Sequence, residues 1–519
     1  MGAPISTSAI ATDMDLNGFI AHVLAGAPFV PAPAELERAR RTYGYLKDFA
    51  AGKVIYGINT GFGPMAQRVV ATADQEALQY NLVRSHAAGA GNAFADDVVR
   101  AMMLVRMVTF LKGGSGVSLP VIGQLGTYLE KGICPIVPEK GGVGASGDLV
   151  QQAHLGLGLI GEGEGTYRGE RRPMKDILQQ CGVKPVRLDL RDGLAILNGT
   201  ACMTGLGLLN VYRAKSLVEH AIGMCALLME ALDTWNDHLS APLNEAKLHP
   251  GQREVARRIR QALDGSSRMR DRAEHLYRAA EHSSNGTFND LVQEHYSIRC
   301  VPQVLGPILE TVQQAETVLL RELHSVDDNP FTVPDEGVFH GGNFHGDQVS
   351  LEMDKLRLAI VKLSMLMERQ LNFLLNDRLN QRFPPFLNVE TPGLTLGMQG
   401  MQFTATSTTA ENQALATSLY IHSIPNNHDN QDVVSMGTNA ASATDRVLAN
   451  TAKVMSIHAI ALAQAVDLAD CRNALSATGG RLYDRVRSVC PVIDSTSVPT
   501  VSIAAVENEL FSPDASWRK

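Results

Sequence analysis

Apolar residues recur every three or four positions over several long stretches of this chain, a spacing that predicts long amphipathic helices. Between Lys355 and Leu379 the apolar positions are Leu356, Ile360, Leu363, Met367, Leu371 and Leu374. The stretch from Asp445 to Asp470 has the same spacing, and 203–235 and 303–326 have the pattern of long helices too. Helices this long and apolar need partners on several sides. They therefore predict a helix bundle shared between subunits of an oligomer.

The first 200 residues have a different pattern, in which short apolar runs alternate with glycine-rich segments. These segments are 53–63 (KVIYGINTGFG), 112–116 (KGGSG) and 141–147 (GGVGASG). A helical pattern over 97–111 separates the first two. We therefore predict a mainly α fold. Residues 1–200 form an α-rich N-terminal region with glycine-rich active-site loops, and 201–519 form a long central helix bundle. No linker or repeat separates the regions, so we expect one integrated fold.

The segment 264–290 has fewer apolar and more charged residues than its surroundings. Its composition predicts a solvated loop with a turn at Asn285-Gly286. A mobile lid is the alternative, because Tyr296 and Arg299 follow directly.

Composition narrows the class of protein. Of the 519 residues, 45% are hydrophobic and 19% charged, with a net charge of -8, which is typical of a globular protein and gives no reason to expect nucleic acid or an anionic membrane as a partner. No run of about 18 uncharged apolar residues exists, and the N-terminus lacks the pattern of a secretory signal. Seven scattered cysteines without a CxxC pair indicate reduced thiols rather than a zinc site. We expect a cytoplasmic protein.

The run Gly144-Ala145-Ser146-Gly147-Asp148 carries candidate chemistry. Its small side chains allow the backbone to fold tightly back on itself. In that geometry the Gly147 nitrogen can attack the Ala145 carbonyl carbon. Loss of water from the ring and from the Ser146 hydroxyl would leave a ring with an exocyclic methylene, a strong electrophile. Taken alone, however, an Ala-Ser-Gly tripeptide is a common turn.

Many further motifs accompany the tripeptide in a fixed order. They are YGINTGFG at 56–63, NLVRSHAAG at 81–89, GASGDL at 144–149, LNGT at 197–200, YSIRC at 296–300, DNP at 328–330, GGNFH at 341–345, PPF at 384–386 and NQD at 430–432. With them the chain resembles the histidine/phenylalanine/tyrosine ammonia-lyase family from about residue 54 to 470. Members of that family use a methylidene-imidazolone (MIO) group. The resemblance implies an α-helical homotetramer whose active sites are assembled from more than one subunit.

The same resemblance implies roles for individual residues. Ala145, Ser146 and Gly147 would form the MIO group, with no metal and no diffusible cofactor. Asp148 and Phe344 would support its formation and hold its orientation.

Further matched positions would act on the substrate. Tyr56 matches the base that removes the β-proton, and Gly63 lies in the same substrate-binding loop. Arg299 would hold the substrate carboxylate with its guanidinium fork. Asn198 and Tyr296 would add hydrogen bonds near the amine and the ring.

Two positions bear on which amino acid is the substrate. His86 occupies the selectivity position at which histidine lyases also carry histidine, and it could hydrogen-bond an imidazole or a phenol. Where histidine lyases typically have Gln-Glu-Asp-His, this chain has 430–433 as NQDV, so that the Gln431 amide replaces a carboxylate. The stretch 393–436, which includes this segment, resembles bacterial tyrosine ammonia-lyases.

The favoured reaction is therefore the conversion of L-tyrosine to trans-4-coumarate and ammonia. The alternative reaction is the conversion of L-histidine to urocanate. A tyrosine 2,3-aminomutase would share the catalytic residues. A helical scaffold that has lost catalysis is the alternative outside enzymes, and the intact Tyr56, tripeptide and Arg299 argue against it.

Overall fold

Helices make up most of the regular structure, which confirms the predicted mainly α fold. The computed structural model describes residues 13–277, 283–284, 287–288 and 291–512. In chain order its helices are α1 (Leu16–Val23), α2 (Pro33–Phe49), α3 (Gln75–His86), α4 (Asp96–Leu111), α5 (Leu119–Lys131), α6 (Leu149–Leu159), α7 (Met174–Cys181), α8 (Asp192–Leu197), α9 (Ala201–Leu232), α10 (Ala241–Glu245), α11 (Pro250–Ala262), α12 (Arg272–His275), α13 (Tyr296–Arg299), α14 (Val301–Leu323), α15 (Asp347–Leu375), α16 (Asp377–Asn380), α17 (Gln399–Ala414), α18 (Gly437–Leu468), α19 (Ala477–Val489) and α20 (Pro499–Phe511).

Short antiparallel strands, which the apolar pattern does not predict, lie between the helices. They are β1 (Ala90–Ala93), β2 (Ile133–Pro135), β3 (Pro138–Lys140), β4 (Glu164–Tyr167), β5 (Glu170–Pro173), β6 (Ser283–Ser284), β7 (Thr287–Phe288), β8 (Phe331–Val333) and β9 (Gly337–Phe339). β1 pairs with β3, β4 pairs with both β2 and β5, β6 pairs with β7, and β8 pairs with β9. The linking residues Arg168 and Gly169 of the β4–β5 hairpin both have positive φ, as a type I′ turn requires. Strands of two to four residues are too short for an alternating pattern to identify.

The chain divides into two compact units, each built from separate segments. Within the described residues, the first unit comprises Met1–Tyr212, Ala315–Asp354 and Ser418–Asp445, and the second comprises Arg213–Gln314, Lys355–Thr417 and Arg446–Lys519. Helices α9, α14, α15 and α18 each begin in one unit and end in the other. The units therefore interleave along the sequence, and a division into regions 1–200 and 201–519 stays a prediction.

All four predicted long helices are present, but each begins earlier than predicted. α15 begins at Asp347 and not at Lys355, because the buried Val349 and Met353 extend its apolar stripe towards the N-terminus. Over the described part of the chain, no helix is both long enough and apolar enough to cross a membrane.

Three packed helices of the first unit end at the predicted site. α3, α6 and α8 contact one another pairwise. α3 ends at His86, α6 begins at Leu149 directly after the tripeptide and Asp148, and α8 ends at Leu197 directly before Asn198. Because the helices pack together, their ends bring these separate parts of the sequence to one place.

The segment 264–290, predicted as a solvated loop, is described only in part. Its described residues include α12 and the antiparallel pair β6–β7, in which Ser283 is opposite Phe288. The predicted turn at Asn285-Gly286 lies outside the described residues, and the lid alternative stays a prediction.

Candidate active site

The tripeptide Ala145-Ser146-Gly147 forms a tight backbone reversal in the first unit. Ser146 has a φ of +51° and Gly147 a φ of +82°, so two consecutive residues are in the left-handed region. Gly144 forms an antiparallel bridge with Gly147, which closes the reversal. The left-handed conformation costs a residue with a side chain roughly 1–2 kcal/mol. Strain of this kind persists only where the surrounding structure imposes it.

The turn Asn198-Gly199-Thr200 holds this reversal in place. The Gly199 N–H donates to the Ser146 carbonyl at 3.1 Å, and the Asp148 N–H donates to the Gly199 carbonyl at 2.8 Å. The two backbones approach so closely that a Cβ added at Gly147 would lie 2.0 Å from the Gly199 oxygen. Only glycine can occupy position 147 without displacing the turn.

Asp148 is fully buried beside the reversal and is held at both carboxylate oxygens. Oδ2 accepts from the Met203 N–H at 2.8 Å, and Oδ1 accepts from the Thr438 hydroxyl. Burial raises the pKa of Asp148 to about 6, against the opposing effect of the hydrogen bonds from Thr438 and Met203. The other predicted support residue, Phe344, is half-buried in the loop between β9 and α15.

Tyr56 is half-buried in the glycine-rich loop 56–63. Its phenolic oxygen accepts a hydrogen bond from the Gly63 N–H at 3.0 Å, and its ring packs edge-on against Phe62. Gln79 of α3 fixes the loop, since it donates to the Gly57 carbonyl at 2.9 Å and accepts from the Leu194 N–H at 3.1 Å. The loop is therefore tied to both α3 and α8.

Predicted site residues from five separate parts of the sequence line one cavity of about 290 Å³. They are Tyr56, Gly63, His86, Ser146, Asn198 and Gln431. An adjacent cavity of about 300 Å³ is lined by Ala145 and Gly147 and shares His86 and Gln431 with the first. Sites for small molecules begin at roughly this volume, about 300 Å³.

The hydrogen bonds of His86 determine what its ring can offer a ligand. Nδ1 lies 3.0 Å from the Leu82 carbonyl, which can only accept, so Nδ1 carries the hydrogen. In the neutral ring Nε2 is then an acceptor. Gln431 on the wall of the same cavity is a neutral amide.

Asn198 is buried where α8 ends. Its Oδ1 accepts from the Asn329 N–H at 2.8 Å, which leaves Nδ2 as the donor of this side chain towards other groups. The amide orientation is therefore set by the protein backbone.

Tyr296 and Arg299 belong to the second unit, in the short helix α13. The Arg299 guanidinium lies over the Tyr296 ring, 4.8 Å from its centroid, and donates to the Gln293 side chain. Tyr296 is 71% exposed. The proposed contacts of these two residues with a substrate stay predictions.

Comparison with known proteins identifies the family. Residues 14–488 match the sequence model of the family described as aromatic amino acid lyase. The chain belongs to the aromatic amino acid lyase family. This confirms the resemblance drawn from its motifs, and the family is MIO-dependent in general.

Relatives of this aromatic amino acid lyase carry different names. It is 40% identical over 486 residues to a tyrosine ammonia-lyase from Cupriavidus metallidurans, with 92% of this chain and 91% of that protein covered. It is 39% identical over 481 residues to a histidine ammonia-lyase from Geobacillus thermodenitrificans, with 92% of each covered. The crystal structure of a tyrosine aminomutase from Streptomyces globisporus matches with a TM-score of 0.94 at 34% identity, covering 99% of this chain and 97% of that one. The identities are nearly equal, so they do not select a substrate.

The cavity walls of the lyase also contain residues that were not predicted, among them Asn81 and Asn427. Asn81 lies on α3, four residues before Ser85, so the two side chains are on the same face of the helix. Asn427 begins a run of three left-handed residues with His428 and Asp429, whose φ values are +56°, +54° and +57°. Asn, Asp and His are the side chains that tolerate this conformation most readily, so the sequence Asn427-His428-Asp429 could have indicated the left-handed run.

Proposed function

We propose that this lyase converts L-tyrosine to trans-4-coumarate and ammonia. The observation that carries the proposal is the shared cavity, in which the Tyr56 and Ser146 positions lie together with His86 and the neutral Gln431. The first pair supports elimination of ammonia. The second pair favours a phenol over an imidazole as the side chain that is bound.

The tripeptide fits the formation of an MIO group. The backbone reverses in the left-handed region at Ser146 and Gly147, and its contact with Gly199 leaves room only for glycine at 147. Both features fit a backbone that cyclises within the tripeptide. A bond forms between the Gly147 nitrogen and the Ala145 carbonyl carbon, whose oxygen leaves as water with the hydrogens of the Gly147 and Ser146 nitrogens. The Ser146 hydroxyl leaves as a second water with the Cα hydrogen. The resulting group would supply an electrophile for the substrate amine, which would make the amine a better leaving group.

Tyr56 is the proposed base for the β-proton of the substrate. A free phenol has a pKa of about 10, so a base of this kind needs groups that stabilise the phenolate. The Gly63 N–H supplies one such hydrogen bond. Arg299 is proposed to bind the substrate carboxylate, with Asn198 and Tyr296 contacting the amine and ring. Gly63 would line the space for the substrate.

His86 and Gln431 are proposed to choose the substrate. The acceptor at His86 Nε2 matches the phenolic O–H of tyrosine, whereas phenylalanine would leave it unpaired at a cost of about 1–3 kcal/mol. Histidine as the substrate could also hydrogen-bond His86. Its imidazole would lack, however, the carboxylate partner that histidine lyases have where this chain has Gln431. A homotetramer, expected from the family resemblance, is proposed as the assembly.

Two measurements test the proposed function. The intact mass of the chain should be lower than the sequence mass by two waters, and Ser146→Ala should abolish this difference together with the near-ultraviolet absorbance of the group. Parallel incubations with tyrosine, histidine and phenylalanine should give coumarate fastest. Faster urocanate formation would identify a histidine lyase instead.

A second candidate activity is 2,3-aminomutation, favoured by the close structural match to the S. globisporus tyrosine aminomutase. Chromatography of the tyrosine reaction separates the two, because an aminomutase yields β-tyrosine while a lyase yields coumarate and free ammonia. Accumulation of β-tyrosine as the main product would replace the lyase proposal.

A further inference from the structure

Helix α4 is buried over nearly its whole length, yet it carries a charged residue in its second half. Arg106 is 0% exposed among apolar neighbours. Its Nη1 lies 3.0 Å from Asp327 and its Nη2 lies 2.9 Å from Asp328, both of which are also buried. Desolvation offsets much of the attraction in such pairs, so an apolar contact would serve stability as well. Stability alone therefore does not explain the ion pairs.

The Arg106–Asp327 pair lies directly against the turn that holds the tripeptide. Asp327 Oδ2 accepts from the Thr200 N–H at 2.6 Å and from the Thr200 hydroxyl at 3.0 Å. A Cβ added at Gly199 would lie 2.2 Å from Arg106 Nη1 and 2.6 Å from Asp327 Oδ2. The ion pair thus fixes Thr200 by hydrogen bonds and Gly199 by close contact.

A continuous chain of contacts then leads from the ion pair to the reacting backbone. Thr200 and Gly199 are adjacent, and Gly199 bonds both the Ser146 carbonyl and the Asp148 N–H. These two groups lie on either side of Gly147, whose nitrogen must approach the Ala145 carbonyl carbon. Reacting atoms need to be held within a fraction of an ångström of the productive geometry.

Asp328 and Arg191 form a separate arm of the network. Arg191 bonds the Asn329 carbonyl at 3.1 Å, Asp328 at 3.3 Å and the Ser115 carbonyl. These contacts fix the 328–329 segment and the 115 loop rather than Thr200. Asp327 is the carboxylate that connects Arg106 directly with Thr200, whereas the Asp328 arm reaches the same turn through Asn329, whose N–H donates to Asn198 Oδ1.

We propose that Arg106 and Asp327 are positioning residues for the dehydration of Ala145-Ser146-Gly147. Their ion pair holds the 198–200 turn, and the turn holds the backbone on both sides of Gly147 while its nitrogen bonds to the Ala145 carbonyl carbon. Two waters leave, one with the Ala145 oxygen and one with the Ser146 hydroxyl, and no oxidant or reductant is needed. The inference rests on the proposed function, because it concerns how the electrophile of that function forms.

Asp327→Asn tests the inference in the full-length chain. The amide keeps the shape of the side chain but removes the charge that pairs with Arg106. Dehydration should become on the order of a hundredfold slower, the scale expected for a misplacement of about 1 Å. Intact mass spectrometry of freshly made protein, followed over time, measures the fraction of chains that have lost two waters. Circular dichroism checks that the variant is folded.

Arg106→Lys is the second variant, so the result does not depend on Asp327→Asn folding. Lysine keeps the positive charge but cannot bridge two carboxylates as the guanidinium does. It should dehydrate more slowly than the parent, though faster than Asp327→Asn. A merely structural role would not order the two variants in this way.

Asp192→Asn is the matched control, because Asp192 is also a buried carboxylate of the first unit that bonds a backbone N–H and a hydroxyl. Its partners include the Ser118 N–H at 2.8 Å, the Ser118 hydroxyl at 2.7 Å and the Asp189 N–H at 3.0 Å. This variant should dehydrate at the parental rate. Equal rates in all variants, or equal slowing in Asp192→Asn, would overturn the inference. A parental chain that keeps both waters would instead overturn the proposed function.

Discussion

The backbone N–H of Gly63 donates to the phenolic oxygen of Tyr56 at 3.0 Å within a single loop. The same loop is tied through Gln79 to the helices that end at the site. Tyr56 is the proposed base, so this contact suggests experiments on both members of the pair.

Replacement of Tyr56 by phenylalanine should lower kcat by about 10² to 10⁴-fold, the contribution typical of a general base. Dehydration of the tripeptide should be unaffected, which intact mass checks. Tyr45→Phe is the control, because Tyr45 stacks on Phe49 and is not among the residues that line the cavity, and its kcat should match the parent. Unchanged kcat in Tyr56→Phe would show that another group removes the proton.

Gly63→Ala should disturb the donor to Tyr56. An added Cβ would lie 2.6 Å from the Asn427 side-chain nitrogen, in a residue with a φ of +52°. We expect kcat to fall by roughly tenfold or more, since a misplaced catalytic group costs this much at a fraction of an ångström. Gly52→Ala is the matched control, because Gly52 has a φ of +69° but no atom within 4 Å of the added Cβ. It should lose about 1–2 kcal/mol of stability while keeping kcat.

His86→Phe should shift preference from tyrosine towards phenylalanine. The change removes the acceptor at Nε2 and supplies an apolar surface to a ring without a hydroxyl. The ratio of kcat/KM for the two substrates should change by about 10-fold or more, corresponding to an unpaired polar group of about 1–3 kcal/mol. If the ratio stays constant while both rates fall, His86 does not contact the substrate ring.

Gln431→Glu should increase urocanate formation relative to coumarate formation. A carboxylate at this position provides a charged hydrogen-bond partner for an imidazole, and such bonds are stronger than neutral ones. Gln413→Glu, a glutamine near the end of α17, is a control for the added charge. A similar product ratio in both variants would mean that position 431 does not select the substrate.

Six of the residues that line the cavity were predicted, because the motifs that contain them carry the family resemblance. Tyr56 and Gly63 belong to one glycine-rich loop, whereas His86 and Asn198, at the ends of α3 and α8, were predicted from the family resemblance alone. Asn427 was not predicted, because its position depends on a left-handed run rather than on a periodic pattern. The short pair β1–β3 was missed for a related reason, since each strand is too short to show alternation.

Arg106 shows what the sequence could not predict. In the pattern of α4 it is one charged residue within an apolar helix, and nothing local indicates its partners. Asp327 and Asp328 lie more than two hundred residues further along the chain. Only the fold brings them together, so the support of the 198–200 turn becomes visible in the structure alone.

Glu322 should make stability depend on pH in a direction opposite to that of a salt-bridged acid. Burial, with a smaller contribution from the charge of Asp327, raises the pKa of Glu322 from 4.5 to about 7, against the hydrogen bond from Thr200. The folded chain therefore holds this proton more tightly than the unfolded chain, so stability falls as the pH rises from 4.5 through 7.

Glu322→Gln keeps an acceptor for Thr200 but cannot ionise, and it should gain up to about 3 kcal/mol over the parent at pH 8 and little at pH 5. Thermal unfolding at both pH values measures this, with the exposed Glu336→Gln as the control expected to follow the parent. A Tm difference between Glu322→Gln and the parent that is equal at pH 5 and pH 8 would contradict the assigned titration.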